Sequence, residues 1–193
     1  MINAELGDVK TVEEFHESIR TQQEWAHGEH YCAMHDAILK YWTEGNCKDY
    51  LELGTHQGGT ASLAMMLPGV ENIQLIDIDM SRYRKFLAPL AIRHCAKNKI
   101  NLKVKEMDSR ELPATARCDM LLIDSVHNPG FMQQELAMHG HNVRKYIIAH
   151  DTHRIMGNIN TGLFECLQEF ANTRGWKILE QNKNNVGYTV IGK

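Results

Sequence analysis

Apolar positions along this chain change their spacing several times, and each change marks an element. Residues 11 to 43 carry helical spacing, with Val12, Phe15 and Ile19 and then Met34, Ile38 and Tyr41 on one face. Thr11 followed by Glu14 is a capping-box pattern for the first helix, and His27-Gly28-Glu29 splits the region into two. At Asp49 the period shortens: DYLEL reads as a buried strand that stops at Gly54. A helix from Thr60 to Leu67 then ends at Pro68-Gly69. The alternation continues with a strand from Asn72 to Ile78, a helix from Met80 to Lys97 interrupted near Pro89, and a strand from Asn101 to Glu106. Next come a strand from Asp119 to Ile123, a helix from Phe131 to His141 and a strand from Lys145 to Ala149. Thr161 to Thr173 sets Leu163, Phe164, Leu167 and Phe170 on one helical face. Trp176 to Glu180 and Gly187 to Ile191 flank an Asn-rich turn and read as a hairpin.

Strands that alternate with helices need crossover connections, so the pattern predicts an α/β fold, doubly wound, with a mostly parallel sheet between helices. The runs MLLID and YIIAH fit strands buried on both faces. An antiparallel C-terminal hairpin lies at or near one edge. No linker interrupts the 193 residues, so one domain is expected, with N-terminal helices over 1–46 and the core over 47–193. Trp25, His30, Tyr31 and His35 make those helices a candidate partial lid, a packing layer or a dimer surface.

Composition narrows the partners. Hydrophobic residues are 43% of the chain and charged residues 23%, enough for one core. The longest apolar runs fall far below the roughly 20 residues of a membrane span. A net charge of −3 gives no case for nonspecific nucleic-acid or lipid binding and leaves a small-molecule partner. Five scattered cysteines without a CxxC pair, and a polar N-terminus unlike a secretory signal, predict reduced thiols in a cytoplasmic protein.

In open α/β sheets ligands bind beyond the carboxyl ends of the strands. After the first strand come Glu52, Gly54, Thr55, Gln57, Gly58 and Gly59, an ExGxxxGG pattern that permits a tight turn and close approach of a ligand. A pyrophosphate cofactor usually takes GxGxxG, which disfavours a nicotinamide-linked oxidoreductase. Asp77 ends the second strand where a ribose acceptor belongs. Asp79 is the fallback, or a helix cap. Asp108 and Ser109 end the third strand, placed either for an adenine edge or as a turn and cap.

The fourth strand delivers Asp124 and, a short turn later, His127; the fifth delivers His150 and Asp151. Carboxylates plus imidazoles suit Mg²⁺ or Mn²⁺ where oxygen dominates, and Fe²⁺ or Zn²⁺ where histidine does. A histidine near its ordinary pKa suits proton transfer from a hydroxyl. His153 reads as a solvated loop residue, and Phe131 and Met156 as pocket lining.

Taken in order, YLELGTHQGGTA, LIDID, EMDSREL, MLLIDSVH and IIAHDTH resemble the class I S-adenosylmethionine-dependent methyltransferases over roughly residues 47 to 153. The resemblance implies a Rossmann-like, seven-stranded sheet, with Gly54 and its neighbours at the methionine part of S-adenosylmethionine, Asp77 at the ribose, and Asp108 and Ser109 at the adenine. Asp124-x-x-His127 followed by His150-Asp151-Thr152 is similar to the metal-dependent O-methyltransferases of the macrolide and cephalosporin-pathway branch. That likeness implies Asp124 as a Mg²⁺ ligand and His127 as general base, with the acidic pair after the fifth strand falling on His150 and Asp151. One member of the pair is histidine, which weakens the preference for Mg²⁺ and leaves Mn²⁺ or Fe²⁺ open. The activity implied is O-methylation of a sugar or natural product, and a homo-oligomer is compatible with it. The alternative is a module that binds S-adenosylmethionine without methyl transfer.

Overall fold

The computed structural model describes residues 9–27, 30–113, 117–155, 158–159 and 162–193. Seven strands form one sheet: β1 Asp49–Leu53, β2 Asn72–Asp77, β3 Asn101–Glu106, β4 Cys118–Ile123, β5 Val143–His150, β8 Lys177–Asn182 and β9 Tyr188–Gly192. Their order is β3-β2-β1-β4-β5-β9-β8. The first five are parallel to one another, whereas β9 runs antiparallel between β5 and β8. This is the expected doubly wound, mostly parallel sheet with its antiparallel hairpin. Two short strands not anticipated from the sequence, β6 Arg154–Ile155 and β7 Asn158–Ile159, pair separately.

Side chains alternate across the sheet, as the two-residue period of a strand requires. Tyr50, Leu75, Met120, Leu122 and Ile148 face one layer of the core, made by α1 Val12–His27, α2 His30–Glu44, α3 Gly59–Met66, α4 Ser81–Phe86 and α5 Ala88–Asn98. Leu51, Leu53, Leu121, Ile123 and Ile147 face the other, under α6 Pro129–His139 and α7 Leu163–Arg174. Every residue of β4 is buried, the pattern of a central strand covered on both faces.

Local signals match the helix ends. Glu14 N–H donates to Thr11 Oγ1 at 3.1 Å, while the Glu14 carboxylate accepts from Lys10 N–H at 2.7 Å. The interruption expected near Pro89 falls at Leu87, between α4 and α5, and Pro89 sits in the first turn of α5, where a missing N–H costs nothing. The N-terminal helices are integral to the core: Phe15, Ile19, Met34, Ile38 and Trp42 are fully buried. Tyr41 OH reaches Glu180 at 3.1 Å, and Trp42 Nε1 donates to the Pro68 carbonyl at 2.9 Å. Of the lid candidates, His35 is buried and stacks on His16 at 5.1 Å; the side chains of Trp25, His30 and Tyr31 lie outside the described residues, as does Met156.

At the amino ends of the strands a buried carboxylate ties the sheet together. Asp119 accepts from Lys48 N–H at 2.7 Å, from Asp49 N–H at 3.1 Å and from Arg144 Nε at 2.7 Å. Among the described residues no helix is long and apolar enough to cross a membrane. All five cysteines are buried, and none is in a disulfide.

Candidate functional site

Between β1 and β4 the strand order reverses, which opens a crevice beyond their carboxyl ends. A cleft of about 610 Å³ lies there, bordered by Gly54, Asp77, Asp108, Asp124, His127 and Asp151, with Ile78, Met107 and Phe131 as apolar walls. Its size is that of a small-molecule site.

Gly54 is the residue that makes the two strand tips touch. It has φ +91°, and a Cβ there would lie 2.1 Å from the Asp124 carbonyl oxygen. Gly58, at φ +94°, serves packing instead: a Cβ would meet Leu87 Cδ2 at 2.5 Å. Asp77 borders the cleft and accepts from His56 N–H at 2.6 Å and Asp79 N–H at 2.9 Å. Asp79 itself accepts from Ser81 N–H at 2.8 Å at the start of α4, the capping alternative.

Other residues expected at the cofactor lie off the cleft. Glu52, Thr55 and Gln57 are buried, and neither they nor Gly58 borders it. Glu52 shares the face of Tyr50, whose hydroxyl donates to it at 2.8 Å, and burial pushes its carboxyl up to about 8. Asp108 lies on the rim but is engaged: its carboxylate accepts from the Arg110 N–H at 2.9 Å and from the Arg110 guanidinium, with Nη2 to Oδ2 at 2.6 Å, which holds the carboxyl at about 2. Ser109 also borders the cleft, and its hydroxyl donates to the buried Glu135 at 2.6 Å. Both observations match the turn-and-cap alternative for this pair: Asp108 caps the 3₁₀ turn Ser109–Glu111.

At the other end of the cleft two carboxylates and two imidazoles converge. His127 Nε2 lies 2.7 Å from Asp151 Oδ2 and 3.8 Å from Asp124 Oδ1. His150 Nδ1 lies 3.1 Å from Asp124 Oδ1 and 3.2 Å from Asp151 Oδ2. The His127 side chain is 43% exposed at the mouth, while His150 is 13% exposed beneath it. The carboxylates of Asp124 and then Asp151 beside it raise His127 to about 10. Burial pulls His150 down, but the charges and hydrogen bonds of the two aspartates outweigh it and leave its pKa well above the usual value. Burial likewise opposes ionisation of Asp124 and Asp151, and the imidazoles prevail, lowering both. Asp151 holds φ +56°, an uncommon backbone conformation for a residue with a Cβ.

The donor atoms that lie within 4.8 Å of one another belong to Asp124, His127 and Asp151. The sequence predicts His150 as a ligand beside the two aspartates and His127 as base; in the structure His127 stands at the mouth and His150 beneath it, each against Asp151. His153 is partly buried rather than solvated, its N–H donating to the Val186 carbonyl at 2.8 Å. Residues not anticipated include His56, Arg110 and Ser125 on the cleft. Glu135 lies behind it, a carboxylate on the apolar face of α6, which was the one available signal for it.

No family model and no curated protein matches this chain. Solved structures do. An S-adenosylmethionine-dependent methyltransferase from Clostridium acetobutylicum superposes with a TM-score of 0.60 at 10% identity, covering 92% of this chain and 98% of that one. A methyltransferase from Podospora anserina bound to S-adenosylhomocysteine gives 0.59 at 15% identity, over 93% and 86%. An O-methyltransferase from Bacillus cereus, also in complex with S-adenosylhomocysteine, gives 0.58 at 16% identity, over 99% and 94%. The fold is the Rossmann-like methyltransferase fold.

Proposed function

We propose that this chain transfers the methyl group of S-adenosylmethionine to a hydroxyl of a small molecule, a sugar or natural product, with help from a divalent cation. One observation carries the reading: Gly54 and Asp77 share a single cleft with Asp124, His127 and Asp151. A donor molecule and an acceptor bound there would lie side by side, and methyl transfer asks chiefly for such alignment.

Each group has work to do in this scheme. Gly54 keeps the floor of the cleft free of side chain, and the Asp77 carboxylate receives ribose hydroxyls. Ile78, Met107 and Phe131 exclude water from the base end. His127, at the open mouth, is the group within reach of an acceptor hydroxyl, and its Nε2 is where the proton would go.

The residues present fit a divalent cation: the Asp124 and Asp151 carboxylates converge and would hold it, which leaves His127 Nε2 for the proton. Mg²⁺, Mn²⁺ and Fe²⁺ all accept such oxygen ligands, and an imidazole from His150 beside them would favour the latter two. When bound, the cation would supply Lewis acidity that lowers the pKa of the acceptor hydroxyl. Asp124 and Asp151 would then no longer need imidazolium partners, and His127 would become neutral, the form that accepts a proton.

Titration calorimetry with S-adenosylhomocysteine, followed by transfer of labelled methyl groups to a panel of hydroxylated acceptors, tests the reading. The wild type binds and turns over. His127→Ala loses about 10²–10⁴ in kcat while its affinity for S-adenosylhomocysteine stays within about threefold. Failure to bind S-adenosylhomocysteine refutes the cofactor; binding without turnover on any acceptor favours the non-catalytic module.

A further inference from the structure

The buried face of α6 carries two polar side chains that the proposed reaction does not use, Glu135 and His139, 0% and 1% exposed. They stand one helical turn apart and converge on one residue. Glu135 accepts from the Ser109 hydroxyl at 2.6 Å, and His139 Nε2 meets the Ser109 carbonyl at 2.8 Å, so that nitrogen carries the proton. A second hydroxyl, Ser125, donates to Glu135 at 2.8 Å from each carboxylate oxygen. Ser109 opens the turn after β3 and Ser125 follows Asp124 at the tip of β4; both border the cleft.

One buried carboxyl therefore joins the turns beyond β3 and β4 from behind, and one imidazole holds the first of them by its main chain. Packing alone does not account for the pair. The neighbours on this face, Met132 and Leu136, are apolar, and burying a carboxyl costs free energy unless its bonds are made. Burial raises the Glu135 carboxyl to about 7, against the Ser109 and Ser125 hydroxyl bonds that lower it; Asp108 adds to the rise and Arg110 opposes it.

We propose that Glu135 and His139 are positioning residues which fix the Ser109 turn and so set the affinity of the cleft for the base half of the cofactor. The inference rests on the methyltransferase reading above. A buried carboxyl that accepts two hydroxyl bonds is a stiff strut, whereas an apolar side chain in its place leaves both hydroxyls without a partner and both turns free to shift.

The experiment measures S-adenosylhomocysteine affinity by calorimetry, and KM for S-adenosylmethionine against kcat, in three variants. Glu135→Leu is expected to weaken S-adenosylhomocysteine binding about 10- to 100-fold and to raise KM for S-adenosylmethionine alike, with kcat at saturation within about threefold. Glu135→Gln, whose amide can accept from one hydroxyl and donate to the other, restores affinity to within about threefold of wild type. Ser109→Ala, which removes one strut end and leaves the helix intact, weakens binding about 3- to 10-fold and decides the matter should Glu135→Leu fail to fold. Unchanged affinity in Glu135→Leu despite a lower melting temperature, equal losses in the Leu and Gln variants, or unchanged affinity in Ser109→Ala would each overturn the proposal. If the wild type itself binds no S-adenosylhomocysteine, it is the methyltransferase reading that fails.

Discussion

Replacing Gly54 by alanine tests whether the two strand tips meet as described. The new Cβ would stand 2.1 Å from the Asp124 carbonyl oxygen, 2.4 Å from its carbon and 2.7 Å from Ser125 Cα. Non-bonded carbons prefer about 3.5–4.0 Å, so the tips of β1 and β4 must part by roughly 1 Å or more. Every atom in the way is backbone, so no side-chain rotation can relieve the contact. Forcing a Cβ onto a residue at φ +91° costs roughly 1–2 kcal/mol, and the overpacking a further 1–3 kcal/mol or so. Gly175 isolates the two contributions. It sits at φ +70° with nothing within 4 Å of a Cβ, so Gly175→Ala should pay the conformational part alone. Urea denaturation should thus rank wild type, Gly175→Ala and Gly54→Ala in falling stability, the last pair differing by about 1–3 kcal/mol. The displaced backbone carries Asp124 with it, so S-adenosylhomocysteine affinity should fall at least about 30-fold in Gly54→Ala and stay unchanged in Gly175→Ala. Equal stability and equal affinity in the two variants would refute the close approach of β1 and β4.

Further expectations concern charge. Asp119 is held at about 2 by Arg144 and by the Lys48 and Asp49 amides, against the opposing effect of burial. Its folded-state pKa is depressed, so its contribution of about 2–3 kcal/mol is present above pH 4 or so and lost as pH falls towards 2. Asp119→Asn should cost stability at neutral pH near the lower end of the ~3–5 kcal/mol typical of a broken buried pair, because Arg144 is 43% exposed and keeps Asp49; it should also flatten the acid limb of urea midpoints against pH. Glu52 has the opposite sign: raised to about 8, it stabilises while protonated, fully below about pH 4, and that contribution drains away as pH rises through 8. Glu52→Gln, which can still accept from Tyr50, should hold its stability between pH 5 and 9 where the wild type declines, and parallel curves would remove the argument. At the cation site, Mn²⁺ binding near neutral pH should release protons from His127 and His150, seen as calorimetric enthalpies that change with buffer ionisation heat; no such change, or none lost in Asp151→Asn, would count against it.

Much of the architecture can be read from hydrophobic spacing, because a strand buried on both faces admits little but apolar residues and each crossover needs a helix. The break at Leu87 was foreshadowed by Pro89, and the contact at Gly54 by a glycine directly after a strand. What the spacing does not carry is which way a side chain points once the strand ends. Glu52 is two residues from Gly54, yet the two-residue period turns it towards Tyr50 and the helical layer, away from the cleft. His127 and His150 are alike in the sequence; the loop after β4 brings one to the mouth while β5 buries the other. The pairing of Asp108 with Arg110 is a local competition that Asp108 could equally have lost to a ligand. Glu135 and His139 stood in plain view on a helix whose inner face is otherwise apolar, but their target, Ser109, belongs to another turn of the chain.

The placement of β9 has an outcome for the order of assembly. It lies along β5, with Tyr188 opposite His150, and it separates β5 from the sheet margin. Until residues 188–192 are in place, β5 is an open margin whose amides and carbonyls invite other strands, and the segment that bears His150 and Asp151 is held from the β4 side alone. A chain lacking that strand would therefore offer a sticky border beside the site.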